Sequence, residues 1–249
     1  MLLLDWEIGR NRTTLTIVKI IETPEHLHLL TALTYYSRLR FIQHLLPLLQ
    51  EATRLRRVVS VFAGTKEGCL DPSDFQARRV SLLAARGHIA SLLTLGLEAI
   101  AKQAPNVSFV HDFPGAVKSE IADEMTGVLA VCLKEFFKVF GRWIYIPNEE
   151  CGERHLFLAT SARYASRSTE EKGRGDGDGV QVGNGVDVAR GTDGELGSGV
   201  YSVGWDGESA VPKVEKLLAG LRKEGMVEKV WEHTLGEFKR ITAREEAKA

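Results

Sequence analysis

The 249-residue sequence is poor in cysteine and has no long apolar run. Its three cysteines, Cys69, Cys132 and Cys151, lie far apart and form no C-x-x-C pair. This argues against a disulfide framework or a zinc knuckle and suits a reducing compartment. No stretch approaches the roughly 18 apolar residues of a membrane span, and the opening MLLLDWEIGR is too short in apolar residues for a signal peptide. These absences predict a cytoplasmic protein with no membrane partner.

An excess of either charge is also lacking. The chain has 32 Lys and Arg against 33 Asp and Glu, for a formal net charge of −1. Nucleic-acid partners usually require a basic excess, so we expect none. Hydrophobic residues make up 44% of the chain, which is enough for a folded core. The composition predicts a globular protein, with a homo-oligomer left open.

The common metal and hydrolase motifs are missing as well. The seven histidines are scattered, with no H-E-x-x-H, so we expect no metal site. The nucleophile elbow G-x-S-x-G is absent. Cys69, with His88 or His111 as a base, is the remaining candidate nucleophile, although a free cysteine more often acts as a small apolar side chain.

Glycine is concentrated in residues 166–199, but not as a dinucleotide fingerprint. Such a fingerprint needs a buried strand before it and a helix after it. Gly183-Asn184-Gly185 has neither flank, and Asp176, Asp178 and Asp187 would repel phosphate. We therefore predict a loop here, with a hairpin as an alternative.

Strand-like and helix-like patterns alternate along the chain. Strands are predicted at residues 13–21, 56–64, 106–115, 155–160 and 199–207. Helices are predicted from Thr23-Pro24 to a bend or end at Pro47, then at 81–104, 119–140 and 211–241, the last broken at Gly225. The tail 242–249 is expected to be solvated. Such alternation predicts an α/β fold with a parallel sheet.

The order and spacing of three groups of segments carry a family resemblance. LTALTYYSRLRFIQHLLPLL (30–49), RRVVSVFAG (56–64) and SFVHDFPGAVKSEI (108–121) resemble a divergent fungal branch of the short-chain dehydrogenases/reductases. CGERHLFLATSARY (151–164) and GSGVYSVGWDGES (197–209) resemble the C-terminal part of the same branch. The resemblance implies a Rossmann-like parallel sheet, N-terminally truncated so that it lacks its first strands, with a C-terminal helical extension.

This reading divides the chain into four parts. Residues 1–22 are an unassigned N-terminal segment, and 23–165 are the α/β core. Residues 166–199 are the Gly-rich loop, and 200–249 are the C-terminal strand and helical extension.

The resemblance also implies a cofactor and site residues. Family members bind NADP or NAD, and their Pro-Gly turn packs against the nicotinamide. Here Pro114 and Gly115 match that turn, and Val117 and Ser119 take the places that follow. A helix asparagine of the family corresponds to Thr34. The family's catalytic serine falls at Ala63, with Thr65 close enough to replace it.

The family's proton donor is absent. It is a Tyr followed four residues later by Lys, which lies on the same helical face and lowers the Tyr pKa. None of the five tyrosines here has Lys at that spacing. The expected positions fall around Leu82-Leu83 and Arg86-Gly87. A leucine cannot carry a proton, so the family's ordinary mechanism is not available.

Three functions stay open at this point. The resemblance implies an oxidoreductase that acts on a carbonyl or alcohol group of a small-molecule substrate. Its cofactor would be NAD(P)(H), and its role would lie in fungal secondary metabolism. The missing motifs favour a catalytically inactive binding or scaffold protein. A non-redox enzyme, an isomerase or cyclase on the same pocket, would need another acid, for which His111 and Asp112 are the candidates.

Overall fold

The computed structural model describes residues 21–117, 141, 145–167, 179–183 and 187–247. Helix α1 has three consecutive segments: Leu29–Thr31 is α-helical, Ala32–Tyr36 is π-helical and Ser37–Glu51 is α-helical. Strand β1 (Arg57–Val61), helix α2 (Leu82–Ala101) and strand β2 (Ser108–Asp112) follow. Then come helix α3 (Asn148–Thr160), strand β3 (Val200–Val203), helix α4 (Pro212–Lys223) and helix α5 (Met226–Glu246).

The three strands form one parallel sheet in the order β1-β2-β3. Val59 of β1 pairs with Val110, and Val110 pairs with Tyr201 of β3. All five residues of the central strand β2 are buried. A central strand of a parallel sheet is usually covered on both faces, and this burial agrees with that pattern. The predicted α/β fold with a parallel, Rossmann-like sheet and a C-terminal helical extension is confirmed.

Alternate residues of β2 enter two separate apolar clusters. Phe109 packs in the larger cluster, together with apolar residues of α1, α2, α4 and α5. Val110 packs in a smaller cluster with Leu158 of α3 and with Tyr164 and Tyr201. Successive strand residues point to opposite faces, so the sheet has helices α1, α2, α4 and α5 on one face and α3 on the other.

Helix α2 is the centre of the larger cluster. Its segment Leu83–Ala101 has the length and hydropathy of a membrane-spanning helix, but 78% of its most apolar window is buried inside the protein. That burial is typical of a core helix in a soluble domain. Arg222 of α4 forms an ion pair of 3.1 Å with Glu98, which fixes the C-terminal extension against α2.

Helix α5 closes over α1 through two buried hydroxyl contacts. The hydroxyl of Tyr35 lies 2.6 Å from Thr234 Oγ1, and that of Tyr36 lies 2.6 Å from His233 Nε2. Tyr36 is buried, as its place in an aromatic stripe predicts. The residues of α1 on the opposite face, among them Leu33, Phe41 and Leu48, are exposed.

Several predicted boundaries are wrong. Thr23-Pro24 does not begin a helix, because the chain first makes a turn in which His26 N–H donates to Thr23 O and His26 has a φ of 61°. The helix begins at Leu29. Pro47 does not end it, since α1 continues to Glu51. Residues 242–244, 246 and 247 of the tail are exposed, and α5 remains helical to Glu246.

The predicted strand at 155–160 is also wrong, because these residues are the second half of helix α3. Acidic Glu149 and Glu150 in the first turn favour this helix through its dipole. The guanidinium of Arg57 donates to the carbonyl oxygens of Leu158 and Ser161, which anchors the end of the helix to β1.

Most of the remaining predicted elements are confirmed, and two lie outside the described residues. Helix 81–104 and the strands at 56–64, 106–115 and 199–207 are confirmed, and Gly225, with a φ of 69°, separates α4 from α5. The antiparallel bridge between Arg190 and Leu196 is consistent with a hairpin in the Gly-rich loop. The strand predicted before residue 21 and the helix predicted at 119–140 lie outside the described residues.

Candidate functional site

An open cavity of roughly 240 Å³ lies beyond the carboxyl ends of β2 and β3. Helix α3 forms one side, and the loop after β3 forms another. We call it the β2–β3 cavity, and it is lined by Asp112, Pro114, Cys151, Glu153, Arg154, His155, Phe157, Leu158, Gly204, Trp205, Asp206 and Gly207. Ligands of open parallel sheets usually bind at this edge, so the cavity is the candidate site.

Asp112 and His155 meet in the cavity wall. Oδ2 of Asp112 lies 3.0 Å from Nε2 of His155, in ion-pair contact, but it accepts no well-aligned hydrogen bond. The Asp112 side chain is only 2% exposed, whereas that of His155 is 29% exposed. The carboxyl group is therefore buried beside the cavity, while the imidazole reaches towards solvent.

The environment of Asp112 favours its protonated form. Burial raises the pKa of Asp112 to about 6, and the neighbouring His155 opposes that shift. Burial and the nearby Asp112 carboxyl also raise the pKa of the Cys151 thiol. The wall thus contains a carboxyl group that titrates near neutral pH and a thiol that stays protonated there.

Trp205 and Arg154 form a stacked side of the cavity. The Arg154 guanidinium lies 4.9 Å from the centre of the Trp205 ring and donates to the Trp205 carbonyl oxygen over 2.6 Å. Arg154 also forms an ion pair with Glu150. Because these contacts hold the guanidinium against the indole ring, they restrict the movement of Trp205 in the cavity wall.

A second polar group occupies the other face of the same strand ends. His111 is fully buried, with Nδ1 2.8 Å from Thr94 Oγ1 and Nε2 accepting from Ala63 N–H over 3.1 Å. The Thr94 and Ser202 hydroxyls donate to Oε1 of Glu67 over 2.8 and 2.6 Å. Burial raises the pKa of Glu67 and lowers that of His111 to about 3. We call these four side chains the closed network.

The structure separates the predicted catalytic residues. Asp112 lines the cavity, but His111 belongs to the closed network. Thr65 lies at the end of β1, where its N–H donates to Ser202 Oγ over 2.7 Å. Thr34 is on α1, and its hydroxyl donates to the Leu30 carbonyl over 2.6 Å. Neither threonine lines the cavity.

Of the predicted cofactor residues that the structure describes, Pro114 lines the cavity, and Gly115 and Val117 do not appear in its wall. Gly115 has a φ of 81°, and a Cβ there would come within 2.5 Å of Ile146 and 3.0 Å of Trp205, so close packing alone requires this glycine. Val117 forms a parallel bridge with Ile146. Ser119 lies outside the described residues.

The first turns of α2, which correspond to the family's Tyr and Lys positions, have a different local structure. Leu83 is 96% exposed. A Cβ on Gly87 would lie 3.1 Å from the Gly68 Cα and 3.3 Å from the Lys66 carbonyl oxygen. The turn after β1 therefore approaches α2 through a glycine–glycine contact, which leaves little room for a lysine at position 87.

His155 and Cys151 are the site residues that the sequence prediction missed. Their spacing of four places both on one face of a helix. That signal depends on a helix at this position, and the segment was predicted as a strand. Among the described residues, no three His, Cys, Asp or Glu side chains are grouped as metal ligands.

Several fungal proteins are similar to this chain. No protein-family model matches it. Oxidoreductase AN1596 of Emericella nidulans is 37% identical over 218 residues, which is 86% of this chain and 62% of that protein. Oxidoreductase andH of Emericella variicolor is 33% identical over 85% of this chain and 61% of that protein.

A third relative has a more specific name. The short-chain dehydrogenase/reductase SAT2 of Stachybotrys chartarum is 29% identical over 86% of this chain and 59% of that protein. The chain spans about three fifths of the length of each of these relatives. Over most of its own length it is therefore similar to fungal proteins named as oxidoreductases, one of them a short-chain dehydrogenase/reductase.

Proposed function

We propose that this chain is an oxidoreductase that interconverts a carbonyl and an alcohol on a small molecule bound in the β2–β3 cavity, with NADPH or NADH. The observation that carries the proposal is the position of the cavity, beyond the carboxyl ends of two parallel strands and beside Pro114. The similarity to fungal proteins named as oxidoreductases supports it. A role in fungal secondary metabolism is part of the same proposal.

The cavity wall favours a largely apolar substrate with one oxygen-bearing group. Phe157, Leu158 and Trp205 supply apolar and aromatic surface. Asp112 and His155 supply the polar contact. Sites for small ligands commonly combine such a wall with a few polar groups that fix orientation.

The cofactor part of the proposal concerns the nicotinamide end alone. Pro114, in the wall, is the described residue that would lie against the ring. The sequence has no G-x-G-x-x-G fingerprint to hold the pyrophosphate. The proposal therefore assigns no described residue to the phosphates or the adenosine.

Titration of the purified chain with NADPH and with NADH tests the proposal, with binding followed by the cofactor's own fluorescence. We expect saturable binding, weakened about tenfold, or about 1.4 kcal/mol, by Pro114→Ala. The matched control is Pro72→Ala, in an exposed turn outside the cavity, which should leave affinity unchanged. No saturation at millimolar cofactor would overturn the proposal, and equal affinity in Pro114→Ala would overturn the site.

A second candidate is a cofactor-free binding protein or non-redox enzyme that uses the same cavity. The close contact of Gly68 with Gly87 favours it, because the helix face that would carry the family's Lys is taken up by packing. Binding of 1-phenylethanol or acetophenone by a chain that does not bind NADPH would select this candidate.

A further inference from the structure

The protonation of the Asp112–His155 pair can be worked out from its contacts. Nδ1 of His155 lies 2.7 Å from the carbonyl oxygen of Cys151, which can only accept. Nδ1 therefore carries a proton. Nε2 then faces Oδ2 of Asp112 at 3.0 Å. Two bare acceptors at that distance would repel, so the pair holds a second proton, on the ring or on the carboxyl group.

The Asp112 and His155 side chains differ in their access to the cavity and to solvent. The Asp112 carboxyl is almost fully buried and lines the cavity, and its Oδ2 lacks a well-aligned donor. The His155 ring is about one third exposed. A proton on the carboxyl can therefore pass to a ligand on the cavity side and be replaced from solvent through the ring.

We propose that Asp112 is the proton donor and acceptor for the substrate oxygen in the β2–β3 cavity, and that His155 is the positioning residue that holds and replaces this proton. This inference rests on the proposed function, for which it supplies the acid that the missing Tyr would have been. A group titrating near pH 6 is well suited to exchanging protons at neutral pH.

The proposed step balances as follows. In reduction, the carbonyl carbon receives a hydride from the reduced nicotinamide, and the carbon–oxygen π electrons move to oxygen. That oxygen takes the proton of the Asp112 carboxyl, which gives an alcohol, an oxidised nicotinamide and a carboxylate. Nε2 of His155 then takes up a proton from solvent and passes it to the carboxylate, which restores the starting pair. Alcohol oxidation is the reverse.

Cys151 is the competing candidate in the same wall. Its Sγ lies 3.5 Å from Nδ1 of His155, a spacing at which imidazole could act as a base towards a thiol. However, Nδ1 is already a donor to the Cys151 carbonyl oxygen and cannot accept the thiol proton. Burial also raises the pKa of this thiol. The pair therefore serves oxygen chemistry rather than a thiolate nucleophile.

Other charged and titratable groups surround the carboxyl group and bear on its titration. Helix α3 contributes Arg154 and Glu153 besides Cys151 and His155, and the loop after β3 contributes Asp206. Tyr164, buried on the same face of the sheet, is close enough for Asp112 to influence its pKa. Asp206 is the useful control, because it is a carboxylate that also lines the cavity but is exposed.

Nitrogen NMR of the full chain, labelled with 15N-histidine, tests the pair without any cofactor. The signals of His155 are followed from pH 4.5 to 8.5 in the wild type, Asp112→Asn, His155→Gln and Asp206→Asn. Spectra are recorded with and without 1-phenylethanol. His155→Gln assigns the signals, and exposed His44 serves as an internal reference.

If the inference is right, the His155 signals report the titration of Asp112 as a step near pH 6 that disappears in Asp112→Asn. The alcohol moves the His155 signals but not those of His44, and binds about tenfold more weakly to Asp112→Asn than to Asp206→Asn. Identical titrations in the wild type and Asp112→Asn would overturn the inference, as would His155 signals that ignore the alcohol. Unchanged overall spectra in each variant establish that it is folded.

Failure of the inference and failure of the proposed function are separable in the same samples. A chain that binds NADPH but whose His155 ignores the alcohol has the cofactor function without this proton donor. A chain whose His155 responds to the alcohol but that binds no nicotinamide cofactor has the acid pair without the redox function.

Discussion

His111 and Asp112 are neighbours in β2, yet they belong to two differently built polar groups. His111 points to the face of α2 and completes the closed network, where Thr94 and the Ala63 N–H satisfy both of its ring nitrogens. Asp112 points to the face of α3 and keeps an oxygen without a well-aligned donor at the edge of a cavity. The first arrangement stabilises the fold, because both ring nitrogens of His111 are hydrogen-bonded inside the core, although Oε2 of Glu67 has no hydrogen-bond partner there. The second leaves bonding capacity for a ligand.

Replacing His111 should have the largest effect on stability. His111→Leu leaves the Ala63 N–H without its acceptor in the core, and an unsatisfied buried donor costs about 1–3 kcal/mol. The Thr94 hydroxyl loses its contact with His111 but still donates to Glu67. We expect a loss of about 3 kcal/mol in unfolding free energy and a fall of roughly 10 °C in Tm. Urea and thermal unfolding measure both. A loss no larger than that of Asp112→Asn would remove the distinction between the two groups.

Acid should destabilise the closed network through the same histidine. The pKa of His111 is about 3 in the folded chain against an ordinary value of 6.5. Below pH 6.5 the unfolded chain therefore binds a proton that the folded chain does not, and stability falls by about 1.4 kcal/mol per pH unit. Between pH 6.5 and 5, wild type should lose about 2 kcal/mol relative to His111→Gln. Parallel pH profiles for the two proteins would contradict this.

The two hydroxyls that share Oε1 of Glu67 should be energetically coupled. Once Thr94→Val or Ser202→Ala has removed one donor, the carboxyl group is more readily neutralised, so the second loss costs less. The double variant should be about 1 kcal/mol more stable than the sum of the single losses predicts. Denaturant unfolding of the four proteins measures the coupling. As a control, Thr94→Val combined with the exposed Ser37→Ala should be additive.

Asp112→Asn should change the pH dependence of stability in the direction opposite to that expected for His111→Gln. The raised pKa means that the folded carboxyl group binds its proton more tightly than the unfolded one does. Wild type should therefore lose stability relative to the variant as pH rises from about 4 to 6. The pKa of about 6 already includes the opposing effect of His155, so at about 1.4 kcal/mol per pH unit the difference reaches up to about 3 kcal/mol. Thermal unfolding of both proteins at pH 4, 5, 6 and 7 measures the difference. A wild type that becomes more stable relative to Asp112→Asn as the pH rises would contradict the prediction.

The elements of the sheet were predictable because their signals are local. The β-branched runs at 56–64, 106–115 and 199–207 and the apolar helix 81–104 need no distant partner to be recognised. Gly225 ends α4 for an equally local reason, a positive φ that glycine adopts without strain.

The candidate site was only half predictable because its two members lie on different elements. Asp112 ends a strand and was among the predicted residues. His155 follows a start signal eight residues earlier, at Pro147, but Leu156, Phe157 and Leu158 after it form a short apolar run that is typical of a buried strand. Its approach to Asp112 depends on α3 docking on the sheet, where Arg57 holds the helix end. No short window of sequence contains that contact.

The glycine–glycine contact between the β1 turn and α2 also limits which residues position 87 can carry. A Cβ there would lie 3.1 Å from the Gly68 Cα and 3.3 Å from the Lys66 carbonyl oxygen, so a lysine at this position requires the turn to shift by a few tenths of an ångström. Positions 86 and 87 are the two places where the family resemblance puts that lysine. At position 87, a new side chain and the position of the turn after β1 therefore change together.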